Sequence, residues 1–122
     1  MNTMRSENVE PLAITSIEGA PTRGVFHIKP MLRGEQMTVL EVHLLPGVAS
    51  RLHAHGHESM LYVVRGRVRT VVGDDVLELG PGDVGCHPAG VPHSVEALEE
   101  TVFVEVKSPA PVIGQVLSVH PG

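Results

Sequence analysis

The chain has 122 residues, 42% of them hydrophobic, which suits one compact core of ordinary size and leaves no room for two. A net charge of -5 (9 Lys+Arg against 14 Asp+Glu) gives no basic nucleic-acid footprint, and a single cysteine, Cys86, rules out an intrachain disulfide or a cysteine-based zinc site. No apolar run approaches the ~20 residues of a membrane helix, and the polar start Met1–Glu10 lacks a signal-peptide core, so a cytoplasmic chain with no membrane and no nucleic-acid partner is expected.

Residues 1–10 read as a loose terminus. Val25–Ile28 is a candidate first strand, and Met37–Leu45 alternates, with Thr38, Leu40, Val42 and Leu44 on one face. Pro46-Gly47 ends it. Met60–Val64 and Val68–Val72 flank the break Arg65-Gly66, and Gly73-Asp74-Asp75 turns into Val76–Leu79. Gly80-Pro81-Gly82-Asp83 is a further turn, with Asp83 as a turn former, followed by Val84–His87 and Pro88-Ala89-Gly90. His93–Ala97 and Thr101–Val106 complete the set, and Pro109, Pro111 and Pro121 break up the tail. Eight or nine short strands with no helix predict one all-β domain over residues 1–122, an antiparallel sandwich or barrel. With three aromatics (Phe26, Tyr62, Phe103) and no Trp, its core must be mainly Val and Leu.

The chemistry concentrates in Arg51–Ser59. Read as an extended strand, this segment puts His53, His55, His57 and Ser59 on one face. Two imidazoles spaced i, i+2 can converge on one cation, and neutral imidazole suits Zn, Cu, Fe and Ni; a solvent-facing polar strand is the plainer alternative. A second segment, Gly82–His93, delivers His93 after Pro88, Gly90 and Pro92, residues that fix a tight turn. That completes a set of three histidines.

At these positions the sequence resembles the cupins. Their first motif, G-x5-H-x-H-x3/4-E-x6-G, is met by Gly47, His53, His55 and Gly66 (residues 47–66); the second, G-x5-P-x-G-x2-H-x3-N, by Gly82, Pro88, Gly90 and His93 (residues 82–97). The resemblance implies a double-stranded β-helix, or jelly-roll barrel, that forms a homodimer and holds one divalent metal ion per chain (Zn, Ni, Mn or Fe) on His53, His55 and His93. Two positions depart from the motifs. Ser59 stands where the motif has Glu, and Ala97 where it has Asn. His57 or Glu58 is then the candidate fourth ligand, although alternation turns Glu58 to the opposite face; otherwise water sits beside Ser59. The runs HAHGHES, YVVRG, VPHSVEALE and EVKSP are also similar to small cupins of pectin breakdown, which open an unsaturated uronate to its keto form. Those proteins commonly carry a neutral Gln at the motif Glu, but follow Ser-Pro with an arginine and acidic residues where this chain has Ala110–Gly114.

Elsewhere plainer roles are expected. His43 reads as a surface or dimer-contact residue, His87 as structural or a pocket wall, and His27 and His120 as surface residues. Cys86 reads as buried, Tyr62 as packing, and Arg65, Arg67 and Arg69 as a solvated strand edge. Three neutral histidines leave a metal its full charge, a strong Lewis acid with open positions. The expected function is tautomerase- or isomerase-like chemistry on, or binding of, a small keto, hydroxy or sugar acid. A three-histidine Fe(II) dioxygenase and a non-catalytic module for an anionic or polyhydroxylated metabolite are the alternatives. His57, Glu58 and Tyr62 are the candidate proton carriers, and metal affinity should fall below the reference His pKa of ~6.5.

Overall fold

Short β-branched segments between Gly and Pro breaks fold into ten antiparallel strands in a computed structural model that describes residues 2–111 and 117–119. They are β1 (Leu12–Ile17), β2 (Ala20–Arg33), β3 (Thr38–Leu44), β4 (Glu58–Arg65), β5 (Val68–Val72), β6 (Asp75–Leu79), β7 (Val84–His87), β8 (His93–Ala97), β9 (Thr101–Ser108) and β10 (Leu117–Val119). One sheet has the order β10-β1-β2-β3-β9-β4-β7 and the other β6-β5-β8. The two form the expected jelly-roll sandwich, with no α-helix among the described residues. Among the described residues no helix is long and apolar enough to cross a membrane.

The alternation read at residues 38–44 holds: Thr38, Leu40, Val42 and Leu44 are buried along β3. Leu40, Val42 and Leu44 form a mainly aliphatic core with Ile14, Phe26, Ile28, Leu61, Val63, Val68, Val95 and Phe103. The candidate first strand at 25–28 proves to be the middle of the 14-residue β2, preceded by β1. Its register against β3 shifts between Pro30 and Leu32, where proline has no N–H to give the ladder. Residues 2–10 are less loose than expected. A single 3-10 turn at Ser6–Asn8 is tied down by Lys29, whose ammonium donates to the Ser6 carbonyl at 3.0 Å, and by the Ser6 hydroxyl donating to Glu41 at 3.0 Å. His120 and Pro121 lie outside the described residues.

Gly66 makes the turn from β4 to β5 with φ +86°, and a Cβ there would land on the Glu100 carbonyl oxygen. A left-handed conformation alone costs a non-glycine residue ~1–2 kcal/mol. With the clash added, Gly66→Ala is expected to destabilise the domain by roughly 3 kcal/mol or more. A urea midpoint unchanged from the parent would refute this.

Candidate metal centre

The segment 51–57 is not the regular strand expected. It is a loop that meets the 88–93 turn, and the strand begins only at Glu58. His53 and His93 exchange backbone hydrogen bonds, N–H to carbonyl, at 3.0 and 2.8 Å, and the Gly90 N–H donates to the His55 carbonyl at 2.8 Å. Two loops distant in sequence are thereby fixed to each other, and three imidazoles meet between them. One donor atom from each of His53, His55 and His93 lies within 4.8 Å of the other two, so these histidines could hold a metal ion.

The hydrogen bonds select which nitrogen each ring offers. Nδ1 of His53 lies 2.7 Å from the Arg51 carbonyl, that of His55 2.8 Å from the His57 carbonyl, and that of His93 3.0 Å from the Val91 carbonyl. A carbonyl only accepts, so each Nδ1 carries the proton and donates it. Each Nε2 is then left as a bare lone pair, the tautomer a metal requires. His55 Nε2 is buried with no hydrogen-bond partner. A buried polar atom without a partner is costly, and a cation bound there would satisfy it. The residues fit a divalent ion.

The other candidates go elsewhere. His57 is buried and stacks on His55, with ring centroids 3.6 Å apart, but its Nε2 faces the Lys107 ammonium at 3.3 Å. Lysine only donates, so the lone pair that would bind a metal is engaged, and His57 does not join the three-histidine group. Glu58 opens β4 on its exposed face, and Tyr62, four residues on, shares that face at 48% exposure. Neither the fourth-ligand role of Glu58 nor the proton-carrier roles of Glu58 and Tyr62 agree with that placement. The packing role of Tyr62 fails for the same reason. Ser59, at the motif Glu position, does point inward, 1% exposed with its Oγ unpartnered.

His87 is a wall of the site, as expected. It is 1% exposed and stacks on His93 at 4.2 Å. The Thr70 hydroxyl donates its single proton to the Ser94 carbonyl (2.9 Å), so His87 Nε2, 2.8 Å away, must donate to Thr70. Its inward turn sends Cys86 outward, because neighbours on a strand alternate. Cys86 is exposed, not buried as expected. His43, half-buried, lies 2.6 Å from the Glu41 carboxylate, across the sheet from His27. Burial pushes Glu41 up, but the hydrogen bonds from His43 and Ser6 outweigh it and hold the carboxyl below its usual range.

Two residues that sequence reasoning missed complete the cavity. Glu105 and Lys107 follow Phe103 on the inner face of β9, and their carboxylate and ammonium are 3.3 Å apart. Burial would raise the Glu105 carboxyl, yet the Lys107 charge beside it leads the effects that keep it below the usual value. Burial, reinforced by the Lys107 charge, lowers His55 and His57 to about 4. His87 falls to about 4 through burial and then the charge of His93, and burial also lowers His93. All four rings are thus neutral at pH 7. The cavity is about 40 Å³, walled on the far side by Ile17, Phe26, Leu40 and Val42.

Comparison with known proteins agrees with this architecture. The family model described as the cupin domain matches residues 40–107, more than half of the chain, so the chain belongs to the cupin family. It is 32% identical over 71 residues to the oxalate decarboxylase OxdC of Bacillus subtilis, spanning only 18% of that enzyme's length. A structure of that enzyme, described through its Mn(II) centers, superposes with a TM-score of 0.73 at 21% identity, covering 97% of this chain and 32% of that one. KdgF from Halomonas sp. superposes with a TM-score of 0.74 at 20% identity (89% of this chain, 94% of that one). A predicted oxalate decarboxylase from Thermotoga maritima gives a TM-score of 0.75 at 20% identity (87% and 96%). At such identities the structural matches establish the fold.

Proposed function

We propose that this cupin holds one divalent metal ion on His53, His55 and His93 and acts as a tautomerase or isomerase on a small keto, hydroxy or sugar acid. The observation that carries the reading is that one donor atom from each of His53, His55 and His93 lies within 4.8 Å of the other two, with His55 Nε2 buried and unpartnered, beside a cavity that His53 and His93 line together with an ionised carboxylate. A bound ion would supply Lewis-acid polarisation of a carbonyl or hydroxyl oxygen. The chain supplies the rest. Glu105 is the one carboxylate lining the cavity among the described residues, and it replaces His57, Glu58 and Tyr62 as the group to take a proton from the carbon beside the carbonyl and return it. Lys107 keeps that carboxylate ionised, and the aliphatic wall excludes bulk water. About 40 Å³ is the space of roughly three waters, which suits the carboxylate–carbonyl end of an acid with the remainder towards the opening.

The test is the metal content of untagged protein followed by turnover assays on small keto and hydroxy acids. Zinc, nickel or manganese with turnover abolished by Glu105→Gln is the expected result. Iron with O₂ uptake would replace this reading by an oxygenase. Ligand-dependent stabilisation without turnover would reduce it to a binding module.

The homodimer has a surface to form on. Met60, Tyr62 and Val64 of β4 and Val84 and Cys86 of the edge strand β7 present an exposed uncharged face, whose natural complement is an equally apolar surface such as that of a second copy. Light scattering is expected to give twice the 13.0 kDa chain mass. A monomer across micromolar concentrations would contradict the assignment.

A further inference from the structure

Lys107 is an unusual residue for its position. It is 7% exposed and follows Phe103 and Glu105 on the interior face of a central strand. Buried lysines are rare unless paired, and the pairing here is incomplete. Two of its three donors are accounted for by Glu105 Oε1 and His57 Nε2, each at the long distance of 3.3 Å. The third has no protein acceptor among the described residues, and Lys107 lines the cavity. Its cross-strand neighbours are Thr38 on β3 and Ser59 on β4. Both are small, so the long stem has room to reach the histidines. A lysine kept only to neutralise Glu105 would not need this clearance.

The charges point the same way. Glu105 and Lys107 cancel, and the candidate ligand set of His53, His55 and His93 contains no carboxylate. With Ser59 in place of a carboxylate, nothing in the cavity offsets the two positive charges a divalent ion brings. An uncompensated buried charge is strongly unfavourable, so the ligand that shares the cavity must itself be an anion. We propose that Lys107 is the carboxylate anchor of this site: the ammonium between Glu105 and His57 grips the carboxylate of a small organic acid while its neighbouring oxygen function faces His53, His55 and His93, so the site selects acids over their neutral analogues. This rests on the three-histidine metal reading above and assigns Lys107 a role in specificity, distinct from the metal and from Glu105.

The test uses zinc-loaded protein and a size-matched pair of probes, pyruvate and its neutral amide, pyruvamide. Zinc stoichiometry after desalting and probe affinity by calorimetry are measured separately. Pyruvate is expected to bind the parent about tenfold or more tighter than pyruvamide, the worth of a charge-assisted hydrogen bond. Lys107→Gln should erase that preference with zinc retained, and Lys107→Arg should restore it in part. Because Lys107→Gln leaves Glu105 buried without its partner, the comparison of Glu105→Gln with Glu105→Gln/Lys107→Gln repeats the measurement with no orphaned carboxylate in either protein. The same loss of pyruvate affinity is expected there. Zinc bound by every variant with pyruvate affinity independent of Lys107 would overturn the anchor and leave the metal reading standing. No zinc in the parent would overturn the metal reading and, with it, the anchor.

Discussion

His93→Ala is expected to lose divalent metal binding by at least about a hundredfold while the domain still folds. Structural zinc sites gain ~10–16 kcal/mol from about four ligands, roughly 3 kcal/mol each, so one ligand of three is a large share. The fold should survive because His93 opens β8 outside the aliphatic core cluster, and its backbone bridge to His53 does not need the ring. Zinc titration by calorimetry, with circular dichroism as the folding control, measures both. A folded His93→Ala that binds zinc like the parent would remove His93 from the centre.

The metal-free domain is expected to lose several kcal/mol of stability as the pH falls from about 6.5 towards 4. His55, His57 and His87 are each lowered to about 4, in every case through burial first. In the unfolded chain their pKa returns to ~6.5. Between those values the unfolded chain binds protons that the folded chain refuses, so stability rises with pH across the window and is lost on acidification. Each tenfold difference in proton affinity is worth roughly 1.4 kcal/mol, and all three rings are less than a tenth exposed, so solvent does little to relieve it. Urea midpoints at pH 7, 5.5 and 4.5 should fall in that order; equal midpoints would contradict the burial of these rings.

Alternation made most of the sandwich readable. β3 and β8 alternate buried with partly exposed positions, with Leu40, Val42 and Leu44 and then Val95 and Ala97 on the buried face, and the three convergent histidines sit in the two spaced segments where the sequence placed them. Alternation is uninformative where both faces of a strand are apolar. In β9, Val102, Val104 and Val106 alternate with Phe103, so the pattern did not single out the face that carries Phe103, Glu105 and Lys107 to the cavity. The cue was Phe103, a large residue in phase with Lys107. Cys86 went wrong for a related reason. Pairing of β7 with β4 matches Met60 to Cys86 and Ser59 to His87, and once Ser59 is inward, Cys86 has no choice. The link between Lys107 and His57 spans 50 residues of sequence, and no local pattern reports such a contact. Nor could spacing alone place His57: the loop at Gly56 brings it against His55 and turns its free nitrogen to Lys107 rather than to the other histidines.

The most direct measurement is a crystal structure of the zinc-soaked protein with anomalous data at the zinc edge. A single anomalous peak bonded at ~2.0–2.1 Å to Nε2 of His53, His55 and His93, with Nδ1 of each still donating to its backbone carbonyl, is the predicted result. Zinc on other residues, or with His55 or His93 farther than about 3 Å from the ion, beyond any genuine Zn–N bond, would contradict the account.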